Sequence, residues 1–163
     1  MLSYEEALQM ISKSSKYHHS ILVSKIMKYV AKFFQSNETE WAITGLLHDL
    51  DYDLIGDDSN QHGVLAASML DDKVPETVKH AIKAHHPTTG YKAETLLDKA
   101  LIFADCTAWL IDDQHLFEKD MDLKTAVLKE SAQKPKIVQN IESFATINEV
   151  SLEDIIKRIS KNP

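Results

Sequence analysis

A histidine and an aspartate stand side by side at His48-Asp49, closing a run whose apolar members are Trp41, Ala42, Ile43, Leu46 and Leu47. An ionised carboxylate is costly to bury unless a cation or several hydrogen bonds hold it. Imidazole and carboxylate are also donors that Fe, Mn, Zn and related metals accept. One such pair is common by chance, and Asp49 alone reads equally well as a hydrogen-bonding group at a helix end. A metal site needs further His and Asp residues on inward faces elsewhere.

Helical periodicity sorts the eight histidines. His19 lies on the row of Val23, Ile26, Val30 and Phe33, whereas His18 meets Lys25 two turns on, so His19 is the better inward candidate with His18 close beside it. His62 opens a stripe with Leu65, Ala66, Met69 and Leu70, or is a solvated first-turn residue. His85 and His86 both extend the stripe of Val78 and Ile82. Asp105 sits in mid-helix among Leu101, Ile102, Ala108 and Trp109. A bare carboxylate buried there would have its pKa raised until it neutralised, unless a metal supplied positive charge or a histidine or the backbone bonded to it. His80 and His115 read as surface residues.

These residues need helices to position them. Ser3-Tyr4-Glu5-Glu6 has the spacing of a capping box and opens a first helix to about residue 13. After a break at 12–16, a second helix is predicted over Tyr17–Phe34, and a third, capped within 36–39, ends at His48-Asp49. The acidic stretch 51–60 with Gly56 reads as a loop. Helices follow at His62–Leu70 and Pro75–His85, then a loop at 86–90, because the residue before Pro87 disfavours helix. A long apolar helix over Ala93–Ile111 and three amphipathic segments, Leu123–Ser131, Pro135–Ala145 and Ser151–Ile159, complete the chain. No segment alternates with period two, so the fold class is all-α. Val127-Leu128 and Ile137-Val138-Ile141 are expected either to pack back on the bundle or to form a homodimer contact.

With 163 residues the chain can bury a substantial core as one domain, 1–163. Only four Gly and four Pro argue against a loop-rich β-protein. The formal charge of −7 offers no sign of nonspecific nucleic-acid binding. One cysteine, Cys106, cannot form an internal disulfide and suits a reducing cytoplasm. The N-terminus has no signal-peptide pattern and no apolar run reaches the length of a membrane span, so the expected location is cytoplasmic.

The ordered set His19, His48-Asp49, His62, His85-His86 and Asp105 resembles the HD-domain superfamily of metal-dependent phosphohydrolases, over a core of about 17–111, with C-terminal helices at 122–160 packed on it. Leu46 to Tyr52 and Phe103-Ala104-Asp105 look like its central and last motifs, and Leu-Leu-His-Asp-Leu-Asp-Tyr-Asp looks like a subgroup of predicted hydrolases. The resemblance implies that His19, His48, Asp49 and Asp105 hold a first divalent metal. Asp49 would bridge to a second metal on His62 and His85, His86 or both. Fe or Mn is favoured by so many histidines, with Co, Ni, Zn or Mg as alternatives. It also implies hydrolysis of a small phosphate ester, nucleotides included, by a metal-activated water that Asp49 helps orient. Asp53, one turn on, is a candidate proton shuttle, or else a solvated loop acid. Lys83 and Lys92, flanking the His85-His86 loop, are candidate phosphate contacts, with Thr88-Thr89-Gly90 as hydroxyl and amide donors. Many relatives follow His-Asp with Gly-Lys; here Leu50-Asp51-Tyr52-Asp53 is acidic and lacks that lysine. The Gly-Tyr-Pro signature of cyclic-dinucleotide phosphodiesterases is absent, Gly90-Tyr91-Lys92 matching only part of it. The competing expectations are a di-iron oxygenase of the same superfamily and a non-catalytic regulatory domain that retains a metal.

Overall fold

The computed structural model describes residues 1–114 and 123–160; His115 lies outside them. The described residues form helices and turns with no strand, in agreement with the all-α expectation. Helices α1 (Tyr4–Ile11), α2 (Tyr17–Phe33) and α3 (Glu38–Leu47) are followed by a turn-rich segment. Then come α4 (Val64–Met69), α5 (Glu76–Ala84), a 3-10 turn (Pro87–Thr89) and α6 (Leu96–Gln114). Helices α7 (Leu123–Gln133), α8 (Pro135–Asn148) and α9 (Leu152–Ser160) complete the order.

Local chemistry sets the helix starts. Ser3 and Glu6 make the reciprocal capping box, satisfying two backbone donors at the head of α1. Asn37 caps α3 by accepting from the N–H groups of Thr39 and Glu40, both at 3.1 Å. Ser151 accepts from Asp154 N–H at 3.2 Å ahead of α9.

Helix α2 packs along α3 and α6, α5 lies on α6, and α4 lies on α5. The interior between them is filled by Val23, Ile26 and Met27 of α2, Ile43, Leu46 and Leu47 of α3, Ile82 of α5, and Leu101 and Phe103 of α6. Behind α6, helix α8 stacks Phe144 on Phe103 with ring centroids 4.7 Å apart. Val138 and Ile141 are buried within the chain, while Leu128 is exposed. Helix α9 returns to α2, where Arg158 lies over the ring of Tyr29. Among the described residues no helix is long and apolar enough to cross a membrane.

The packing gives the ligand-bearing helices one shared end. His19 opens α2, His48 ends α3, His62 precedes α4 and His85 ends α5, while Asp105 lies midway along α6. Gly63 makes the approach of α4 to α5 tight enough. Its φ is +81°, and a Cβ there would stand 2.3 Å from the carbonyl oxygen of Ile82. Gly63→Ala is therefore expected to lower stability by about 2 kcal/mol or more, combining left-handed strain with overpacking against backbone. Urea unfolding of the purified variant measures this; a change within about 0.5 kcal/mol of wild type would show that the two helices can separate freely.

Candidate metal centre

Four imidazoles and two carboxylates meet where these helix ends converge. His19 Nε2 lies 2.9 Å from Asp105 Oδ1, and His48 Nε2 lies 3.7 Å from the same oxygen. Asp49 Oδ1 is 3.3 Å from His48 Nε2, 3.0 Å from His62 Nε2 and 3.7 Å from His85 Nε2. His62 Nε2 and His85 Nε2 are 3.2 Å apart. Ligand atoms spaced by about 3 Å are what an ion with bonds of about 2.1 Å to each demands. Two sets of such atoms lie close enough together to hold an ion, His19–His48–Asp105 and His48–Asp49–His85.

Each of the four rings has its other nitrogen engaged. Nδ1 of His48 meets the carbonyl of Gly45 at 2.8 Å, and Nδ1 of His85 meets that of Ile82 at 2.6 Å. Nδ1 of His62 meets Asp51 at 3.0 Å, and Nδ1 of His19 meets Asp112 at 3.4 Å. An acceptor at Nδ1 keeps the proton there and leaves the Nε2 lone pair for a metal. His48 Nε2 is fully buried without a hydrogen-bond partner. A buried imidazole nitrogen without a partner is unfavourable unless something further coordinates it, so the donor set fits a divalent metal.

Electrostatics agree. Burial alone would raise the pKa of Asp49, but the adjacent His48 ring and the hydrogen bonds of His62 and His85 outweigh it and hold the carboxyl well below its usual range. Asp105 is likewise held ionised, since the hydrogen bond with His19 and the nearness of the His48 ring outweigh desolvation. Desolvation would lower His19, but Asp105 and Asp112 push it up to about 9; Asp49 and Asp51 do the same for His62 against its burial, again to about 9. His86 is instead lowered, by burial first and then by the charges of His62 and His85.

The site is closed on one side and open on the other. His48 is fully buried and the side chain of His85 is 2% exposed, whereas the Asp105 side chain retains 31%. The sequence placed Asp105 among apolar neighbours. The helix does put it on the inward row, yet it emerges at the open rim between α2 and α6. Beside that rim, Ser15, Lys16, His18, His19, Trp109 and Asp112 line a cavity.

The other candidates fall differently. His19 points to the cluster, while exposed His18 meets Tyr17 edge-on. His86 stands beside it, its ring 5.0 Å from that of His62, with Nδ1 on Thr88 Oγ1 at 2.9 Å, and lies outside both ligand sets. Asp53 is not turned toward the ligands as a shuttle would be. Its carboxylate accepts from Ser14 Oγ at 3.1 Å, from the Ser15 N–H at 2.9 Å and from Ser15 Oγ, bracing the turn ahead of α2. Lys83 lies over the Tyr91 ring, which faces His80, and Lys92 is exposed; neither is brought to the ligands. His80 is half-buried and paired with Asp98 at 3.1 Å, rather than a free surface group.

Asp51 is the residue the sequence reading missed. It is fully buried, bonded to His62 and accepting from the N–H groups of Gly63 and Ala66 at 2.7 and 2.9 Å. Its spacing, two residues after a ligand and eleven before His62, was the available signal.

Compared with known families, residues 17–110 match the family model described as HD domain. No curated protein and no solved structure gives a match.

Two outcomes follow. Because His19 and His62 carry protons below about pH 9, metal uptake at pH 7 must displace on the order of two protons, and affinity must rise with pH up to about 9. Calorimetry in buffers of different ionisation heat measures this; no proton release at pH 7 would mean these rings are not ligands. Asp51→Asn would present an amide N–H to His62 Nδ1, moving the ring proton to Nε2. Metal affinity is then expected to fall about 10–100-fold with the fold intact by circular dichroism.

Proposed function

The chain belongs to the HD-domain family, and on that premise we propose that it is a metal-dependent phosphohydrolase cleaving a small phosphate ester, with nucleotides among the candidate substrates. The observation that carries this is the convergence of four Nε2 atoms on Asp49 and Asp105 while every partner Nδ1 is engaged. His19, His48, Asp49 and Asp105 would hold one ion, and Asp49 with His62 and His85 a second, Asp49 serving as bridge. So many imidazoles favour Fe or Mn over Mg, with Co, Ni and Zn as further alternatives.

A divalent metal in such a site lowers the pKa of a water toward neutrality and polarises a phosphoryl oxygen. The protein's part is to fix the geometry. His48, Asp49 and His85 close the floor against solvent, and Asp105 and His19 form the open wall from which substrate enters. Asp51 and Asp112 hold His62 and His19 with Nε2 aimed inward, so the ligands need no rearrangement when an ion binds. Asp49, ionised and buried, orients the attacking water beside the phosphorus. Half-buried His86 stands beside His62, where it can take up a proton from solvent and pass it on to the departing group.

Metal analysis of protein purified without chelators, repeated for His48→Ala and Asp105→Ala, tests the site. Metal content is expected to fall below about a tenth of wild type in both, and hydrolysis across a phosphate-ester panel with Fe, Mn, Co or Ni to fall with it. Unchanged metal content in both variants would refute the ligand assignment. Oxygen-dependent turnover with a di-iron spectrum and no hydrolysis would support the oxygenase alternative, and a metal-loaded protein that turns over nothing the regulatory one.

A further inference from the structure

The site lacks the lysine that often follows His-Asp, and its surroundings are acidic. Asp49, Asp105 and Asp112 all lie on or beside the ligands, and Asp113 shares the cavity at the rim. A phosphate dianion entering such a site needs a cation that the ligand shell does not use. Lys16 is placed to be that cation. It precedes α2 by one residue and lines the same cavity as His19. Its Nζ stands 4.0 Å from the centroid of the Tyr52 ring, and that ring meets the His62 ring edge-on at 5.9 Å. Nζ therefore lies within about 10 Å of the His62 ring, a distance that the lysine's four-carbon stem and a bound phosphate can span together.

The backbone around Lys16 is held in place. Asp53 fastens Ser14 and Ser15 from one side, and the Tyr52 ring supports the ammonium from the other. Lys16 is half-buried, and the face of an aromatic ring is a weaker partner for its ammonium than an anion would be. A phosphate oxygen is a strong one, through a charge-assisted hydrogen bond. Lys16 is thus held near the entrance by an interaction it can leave for a better partner.

We propose that Lys16, held on Tyr52 beside the open rim, is the residue that binds the substrate's phosphate, in place of the lysine missing after Asp49. This rests on the phosphohydrolase reading for its substrate but not for its geometry. The test uses the full-length, metal-loaded protein and inorganic phosphate, titrated calorimetrically into wild type, Lys16→Ala and Lys16→Arg. Metal content and hydrolysis of the ester panel are measured on the same samples. Lys16→Ala is expected to weaken phosphate binding about 10–100-fold with metal content unchanged, and Lys16→Arg to keep it within about threefold of wild type. Equal phosphate affinity in wild type and Lys16→Ala overturns the inference, and leaves the phosphohydrolase reading standing if esters are hydrolysed. Loss of metal in Lys16→Ala also overturns it, since Lys16 would then act on the ligands. Lys16-dependent phosphate binding without hydrolysis supports the anion subsite and overturns the phosphohydrolase reading alone.

Discussion

The constraint on which this molecule turns is the burial of the Asp49 carboxylate. At 5% exposure it has lost nearly all its water, and a charge so placed survives only if the interior supplies equivalent partners. Three imidazoles from three separate segments supply them: His48 from its own helix end, His62 from the turn before α4 and His85 from the end of α5. The helices must therefore finish together in space, although they are far apart in sequence. Burial of Ile43, Leu47, Ile82 and Leu101 drives them together; the carboxylate and its partners determine the arrangement at the end where they meet.

The five residues from Asp49 to Asp53 show how one short segment serves several demands. Asp49 faces the cluster, and Asp51 turns inward to His62 and to two backbone N–H groups. Tyr52 lies between the His62 ring and Lys16, and Asp53 reaches the serines ahead of α2. The acidic character that sets this stretch apart from a phosphate-binding loop arises because two of its carboxylates are structural acceptors. One orients a ligand and the other anchors a turn.

How far the sequence revealed this depends on what kind of information each residue carries. Helical periodicity pointed to inward rows for His19, His48, His62, His85 and Asp105, whereas Asp49 drew attention only as the neighbour of His48 and through the family resemblance. Periodicity reports a face and not a depth. It could not show that Asp105 comes out at the rim while His48 is sealed. Asp51 was hidden because its partners are backbone N–H groups created by the left-handed turn at Gly63, which no side-chain pattern records. Asp53 and Lys83 misled for the complementary reason. Spacing put them near the ligands, but their side chains found stable local partners in Ser14, Ser15 and Tyr91.

The carbonyl of Ile82 is at once the acceptor that orients His85 and the wall against which Gly63 lies. The turn carrying His62 and the ring of His85 are therefore not independent parts. Moving α4 away from α5 would alter the hydrogen bond that sets the His85 tautomer, and rotating His85 would disturb the surface on which Gly63 rests. Sequence change at either place must be matched at the other. This half of the centre can only evolve as a unit, and Asp105 and Asp112, set along the length of α6, are coupled in a different way, through the two nitrogens of the single ring of His19.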